Sequence, residues 1–114
     1  LEIFWEINLN STILKYLFSK DGYLIILTLD KILILSENGK IINSYTHDKE
    51  SPILIFSLHK NIYLVCEDGI YSINIGNNSE DSFYKNKFTN NLEIYYQEQN
   101  IYLKDDKSLF KLSE

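Results

Sequence analysis

Short runs of hydrophobic residues alternate along this chain with polar residues that favour turns. The clearest case is residues 61–75 (NIYLVCEDGIYSINI), where an unbroken apolar run is followed by an Asp-Gly pair and then by Tyr71, Ile73 and Ile75 at alternate positions. An unbroken run predicts a strand buried on both faces, Asp-Gly favours a tight turn with positive φ, and the alternation predicts a half-buried return strand. Residues 61–75 therefore predict a β-hairpin.

The same pattern occurs on both sides of this hairpin. Residues 24–28 (LIILT) stand 38 positions before residues 62–66, and residues 100–103 (NIYL) stand 39 positions after residues 61–64 (NIYL). The chain therefore contains three degenerate copies of one strand-turn-strand unit.

A further strand is expected before and after each hairpin. Residues 92–95 fall on residues 53–56 at the same spacing, and residues 40–45 and 83–88 are candidates for strands that follow a hairpin. Residues 3–7 match such a following strand but precede the first hairpin. Four short strands repeating about every 40 residues are typical of β-propeller blades.

We therefore predict an all-β fold of about three four-stranded antiparallel propeller-like blades within one segment, residues 1–114. The repeat units are roughly 11–45, 51–88 and 90–114, and residues 1–10 are an outer strand of a preceding blade. Since a propeller usually closes with about four to eight blades, we expect these residues to belong to a larger propeller or to an assembly. The alternative is a compact β-sandwich or barrel, because 114 residues suit one domain.

Composition and charge narrow the possible partners. The chain lacks Ala, Arg and Met and is rich in Ile, Leu, Asn, Lys and Tyr, a bias expected of an AT-rich genome that also disfavours helix. A net charge of −5 argues against nucleic acid as the main partner. Lys85 and Lys87 beside Tyr84 and Phe88 could form a local nucleic-acid patch, but a solvated strand and loop are favoured. No apolar run approaches the length needed to span a bilayer.

Few residues are candidates for chemistry, and we name no catalytic, cofactor-binding or metal-binding residue. Cys66 lies in an apolar strand and is expected to be a buried, inert thiol. His47 and His59 have no second ligand at a metal-binding spacing and are expected in surface loops. Asp105 and Asp106 fit turn chemistry better than a paired-acid site.

Two further features concern the surface. Trp5 shares its position with Tyr45, at the end of a predicted outer strand, and we expect it to pack between neighbouring blades, with an exposed binding anchor as the alternative. Residues 77–91 are the most polar stretch. They predict the longest loop, or a poorly ordered outer strand between loops, where partner contacts would concentrate.

Residues 23–45 combine an apolar strand, a tight turn at Asp30, an alternating strand and a Gly39-Lys40 turn before a strand that ends in an aromatic. This pattern resembles the blades of quinoprotein-like (PQQ-like) and WD-type β-propellers. The resemblance implies a repeat fold whose members include scaffold subunits of large complexes, lumenal sensor domains of stress kinases and quinone-dependent dehydrogenases.

The expected function is that of a non-catalytic β-propeller segment serving as a protein-protein interaction scaffold, as a subunit of a larger complex. The alternatives are a compact β-sandwich or barrel that binds a ligand, and part of a quinone-dependent propeller enzyme. The expected partners are other protein subunits, with neither nucleic acid nor a membrane span, and with a homo-oligomer if the chain is complete. No cofactor is expected.

Overall fold

The computed structural model describes residues 1–58 and 61–112, and all their side chains except those of residues 81–83. Within these residues there are eleven β-strands and no helix, so the predicted all-β class is confirmed. The prediction for His59 lies outside the described residues. The strands, in chain order, are β1 (Ile13–Phe18), β2 (Leu24–Thr28), β3 (Lys31–Leu35), β4 (Ile41–Thr46), β5 (Pro52–Leu58), β6 (Asn61–Cys66), β7 (Gly69–Asn74), β8 (Ser79–Lys85), β9 (Glu93–Gln97), β10 (Asn100–Lys104) and β11 (Leu109–Leu112).

The strands form three antiparallel sheets in which chain neighbours pair with each other. Sheet 1 has the order β1-β2-β3-β4, sheet 2 the order β5-β6-β7-β8, and sheet 3 the order β9-β10-β11. The three similar segments of the sequence, β2, β6 and β10, each lie second in a different sheet. The sheets do not close into a ring, and their number also differs from the two sheets of a sandwich.

The central hairpin forms as predicted. Strand β6 pairs with β7 with Cys66 opposite Gly69, and Glu67 and Asp68 make the turn. Gly69 therefore begins the return strand, and the turn lies one position earlier than the Asp68-Gly69 pair predicted. The register places Tyr63 opposite Ser72, which belongs to the alternating half of the hairpin.

The sheets stack face to face, with sheet 2 in the middle. Ile62, Leu64 and Cys66 of β6 lie in the core cluster shared with sheet 1, whereas Val65 lies in the cluster shared with sheet 3. Leu64 and Val65 are fully buried. The unbroken apolar run of β6 is thus explained by a neighbouring sheet on each side.

The stacking is head to tail. Ile101 and Leu103 of β10 contact sheet 2, and they occupy the positions at which Ile62 and Leu64 of β6 contact sheet 1. Each sheet therefore presents one face to the sheet before it and the opposite face to the sheet after it. The two larger core clusters thus lie between sheets that are consecutive along the chain.

Residues 1–9 pair with no strand in the described part of the chain, so the outer strand of a preceding blade over residues 1–10 stays a prediction. Their side chains nevertheless alternate as in a strand, with Trp5, Ile7 and Leu9 turned inward. These three residues pack on the face of sheet 1 that lies opposite sheet 2, against a small cluster made of Leu24, Ile26, Leu33 and Leu35.

The fourth strand of sheet 2 lies earlier than predicted. Strand β8 runs from Ser79 to Lys85 rather than over residues 83–88. A turn at Asn78, which has a φ of 53°, closes the β7–β8 hairpin, and the Asn74 side chain accepts a hydrogen bond from the Asn77 N–H at 3.0 Å. Of the two alternatives predicted for residues 77–91, the structure therefore has the outer strand between loops and not the long loop.

Candidate functional site

In the described part of the chain, one face of sheet 3 has no neighbouring sheet. Tyr102 of β10 lies opposite Tyr95 of β9 and Lys111 of β11, and Lys104 lies opposite Leu109 and Glu93, so these six residues share that face. Tyr95 is 49% exposed and Leu109 is 68% exposed. We call these residues the outer face of sheet 3. It has exposed aromatic and aliphatic side chains, which are common at protein interfaces, beside two lysines and one glutamate.

Strand β11 forms the edge of sheet 3. It pairs with β10 on one side, and on its other side no strand of the described chain pairs with it. Sheets 1 and 2 have a fourth strand at this position. The backbone N–H and C=O groups of an edge strand can bind a strand from another chain.

Equivalent aromatic residues show how the missing strand changes burial. Tyr45 lies opposite Ile32 in sheet 1, and Tyr84 lies opposite Ile70 in sheet 2, at the same place in the repeat. Tyr45 is 6% exposed, and its hydroxyl donates to Glu80 of β8 at 3.4 Å. Tyr84 is 59% exposed, because sheet 3 has no strand at the position that β8 occupies in sheet 2.

A charged cluster holds the connection between sheets 1 and 2 against sheet 2. Lys49 Nζ, in that connection, lies 2.9 Å from Glu80 and 3.2 Å from Asp48, and it lies 3.9 Å from the centre of the Tyr71 ring. Burial disfavours the charge of Lys49, but its hydrogen bonds to Glu80 and Asp48 outweigh this and raise the lysine pKa. The Tyr71 hydroxyl donates to Asp68 at 2.9 Å. The paired lysine therefore fixes the β4–β5 connection on sheet 2.

A cavity of about 430 Å³ lies beside this cluster and is lined in part by Cys66. Burial raises the pKa of the Cys66 thiol to about 12, with a smaller contribution from the charge of Asp68. The thiol therefore stays protonated at neutral pH, where only a thiolate would be a strong nucleophile. The predicted burial of Cys66 is confirmed, since 2% of the residue is exposed.

A second cavity of about 760 Å³ opens at the end of the stack where β1 turns into β2. It is largely apolar, with Phe18 and Tyr23 of sheet 1 on one side and Ile62 of sheet 2 on the other, and Tyr96 of sheet 3 also lines it. Residues from three sheets form this groove, so no local motif in the sequence could indicate it. Its lining suits an apolar or aromatic group.

The prediction that His47 lies on the surface is wrong, because only 4% of the residue is exposed. Its Nδ1 accepts a hydrogen bond from the Lys49 N–H at 3.3 Å, which leaves Nε2 as the donor to the Thr28 carbonyl at 3.2 Å. The backbone provides a hydrogen-bond partner for each ring nitrogen, so the imidazole is buried without an unsatisfied polar atom. His47 is therefore a structural residue of the connection between sheets 1 and 2.

Two other sequence predictions concern turns and patches. Asp105 closes the β10–β11 turn by accepting hydrogen bonds from the N–H groups of Lys107 at 2.9 Å and Ser108 at 2.7 Å, as its turn chemistry predicted. The basic-aromatic patch around Lys85 and Lys87 is not assembled as envisaged, because Phe88 is buried between sheets 2 and 3.

Neither metal chemistry nor a membrane span is indicated by the described residues. Residues 1–58 and 61–112 contain no group of three or more His, Cys, Asp or Glu side chains able to hold a metal ion. The same part of the chain has no helix of the length and apolar character needed to cross a bilayer.

Comparison of the chain with protein-family models finds no match, and comparison with curated proteins finds none either.

Proposed function

We propose that this protein is a non-catalytic β-propeller segment that acts as a protein-protein interaction scaffold within a larger complex. The observation that carries the proposal is the head-to-tail stacking of three sheets, which leaves the outer face of sheet 3 in the orientation that sheets 1 and 2 use for contact. The equivalent faces of sheets 1 and 2 are each buried against the next sheet. The exposed face of sheet 3 therefore suits the same kind of contact with another chain.

The chemistry of the polar residues supports binding over catalysis. Lys49 is held by two carboxylates, and the Cys66 thiol is kept protonated by burial, so neither is poised as a nucleophile. His47 has both ring nitrogens engaged with the backbone. In contrast, the outer face of sheet 3 has accessible aromatic and aliphatic groups beside an unpaired strand edge, which are the features of a docking surface.

The proposal is tested by sedimentation of the tagged full-length protein in extracts of the cells that produce it. The parent chain should sediment as part of a complex heavier than a single copy. The double substitution Tyr95→Lys and Leu109→Lys should move it to the position of the free chain, because two lysines replace apolar contact area. Both positions are exposed, so the free energy of unfolding should change by less than about 0.5 kcal/mol per site.

The matched control is the double substitution Leu29→Lys and Asn43→Lys, which adds the same two lysines. Leu29 is 51% exposed in the turn after β2, and Asn43 is exposed opposite Ile34, on the side of sheet 1 that faces sheet 2. The control should leave sedimentation unchanged. The proposal fails if the parent chain sediments as a free chain, or if both double variants shift it equally.

A further inference from the structure

The N-terminal segment, residues 1–9, occupies the place of an outer strand from a preceding sheet. The Trp5 indole N–H donates to the Glu37 carbonyl at 3.0 Å, in the turn between the third and fourth strands of sheet 1. Tyr45 makes the corresponding contact with the next sheet, reaching Glu80 just after the turn between its third and fourth strands. The segment therefore contacts sheet 1 as β4 contacts sheet 2.

The outward side of the segment remains open. Ile3 is 80% exposed and Phe4 is 85% exposed, while Trp5, Ile7 and Leu9 face sheet 1. An extended stretch with alternating exposure is the form of a strand, yet its backbone has no ladder partner within the described chain. It is ready to pair with the edge of another sheet.

Among the described residues, sheet 3 lacks a fourth strand, which this segment could supply. It has three strands where sheets 1 and 2 have four, and the unpaired edge of β11 is where its fourth strand would lie. Its outer face corresponds to the face through which sheet 1 contacts sheet 2. The face of sheet 1 that would contact it contains Leu24, Ile26, Leu33 and Leu35. In the described chain this face is covered only by residues 1–9.

We propose that a second copy of this chain binds head to tail, so that residues 1–9 of one copy form the fourth strand of sheet 3 in the other. This inference names the partner of the surface proposed above and rests on that proposal. The outer face of sheet 3 then packs on sheet 1 of the second copy, beside Trp5. Two copies joined in this way at both ends place six sheets in one ring, within the range of about four to eight in closed propellers.

Sedimentation equilibrium of the purified full chain tests the stoichiometry. The expected mass is twice the 13.5 kDa of one chain. The double substitution Tyr95→Lys and Leu109→Lys should raise the dissociation constant at least about tenfold, because both residues lie near the centre of the contact. The double substitution Leu29→Lys and Asn43→Lys should leave the dissociation constant unchanged.

The outcomes separate this inference from the scaffold proposal. A purified chain that stays monomeric, or a dimer whose dissociation constant is unchanged by Tyr95→Lys and Leu109→Lys, overturns the second copy as the partner. If the heavy complex in cell extracts is still lost with Tyr95→Lys and Leu109→Lys, the scaffold proposal stands with a different protein on that face. If the purified chain is a dimer and extracts contain nothing heavier, the self-association stands and the wider scaffold fails.

Discussion

Sheets 2 and 3 start from nearly the same second strand but end in different environments. Ile62 and Leu64 of β6 and Ile101 and Leu103 of β10 are all buried against the preceding sheet. On the opposite face, Val65 of sheet 2 is fully buried, whereas Lys104 at the equivalent position of sheet 3 is exposed. The burial of a residue in this fold is thus decided by the adjacent sheet and not by its own strand.

The prediction with the largest expected effect compares the equivalent residues Tyr45 and Tyr84. Tyr45→Ala should lower the free energy of unfolding by about 3 kcal/mol, because it empties a buried site between sheets 1 and 2. Tyr84→Ala should lower it by less than about 0.5 kcal/mol, because that ring is mostly exposed. Urea denaturation at low protein concentration measures both. Equal losses would show that the strand, and not the neighbouring sheet, sets the contribution.

A second prediction concerns how the free energy of unfolding changes at alkaline pH, where Cys66 and Tyr71 of sheet 2 titrate. The pKa of Cys66 is raised from 9.0 to about 12, mainly by burial, so the folded chain keeps a proton that the unfolded chain releases. The free energy of unfolding should therefore fall on the order of 1–2 kcal/mol between about pH 9 and pH 11. Tyr71, whose pKa is raised from 10.0 to about 12, extends this loss to higher pH.

The Cys66→Ala variant separates the thiol from other titrating groups. Its free energy of unfolding should start lower at neutral pH, because a buried side chain is shortened, but should decline less between about pH 9 and pH 11. Chemical denaturation over that pH range gives the slope. A slope identical to that of the parent chain would mean that Cys66 is not protected between sheets 1 and 2.

The smallest test concerns the contact between the N-terminal segment and sheet 1. Gly39 has a φ of 80°, and a Cβ added there would lie 2.5 Å from Cδ2 of Trp5. Gly22 has a similar φ of 88° but nothing within 4 Å. Gly39→Ala should therefore destabilise the fold by about 1 kcal/mol more than Gly22→Ala, since both carry the same backbone strain and one adds a clash.

Trp5→Ala provides the control for that difference. In its background the extra cost of Gly39→Ala should disappear, because the ring that causes the clash is gone. Thermal or urea unfolding of the four variants gives the coupling. An extra cost that persists without the indole would place the clash elsewhere.

Hydrophobic patterning was sufficient to predict much of the strand order. The hairpin of β6 and β7 and the related strands β2 and β10 have strong apolar runs bounded by turn residues, so their type and pairing follow from local sequence. The start of β8 was predicted too late, because the residues from Ser79 onward show no alternation of apolar and polar positions. Its start is set by the turn at Asn78.

Other features depend on residues that are distant in sequence. The burial of His47 requires the Thr28 carbonyl, 19 positions away, to accept its N–H. The outer face of sheet 3 contains tyrosines and lysines that look like ordinary surface residues until β9, β10 and β11 are paired. The absence of a ladder partner for residues 1–9 is also set by the arrangement of whole sheets, which pattern alone does not encode.

Head-to-tail stacking has a consequence for how such a chain can evolve. Because one side of every sheet is shaped for the other side of the next, duplicating a coding unit lengthens the array without requiring a new interface to arise. Losing a unit likewise leaves two ends that still match. Gene length can therefore change in steps of one sheet, and selection then acts on how many sheets the chain retains.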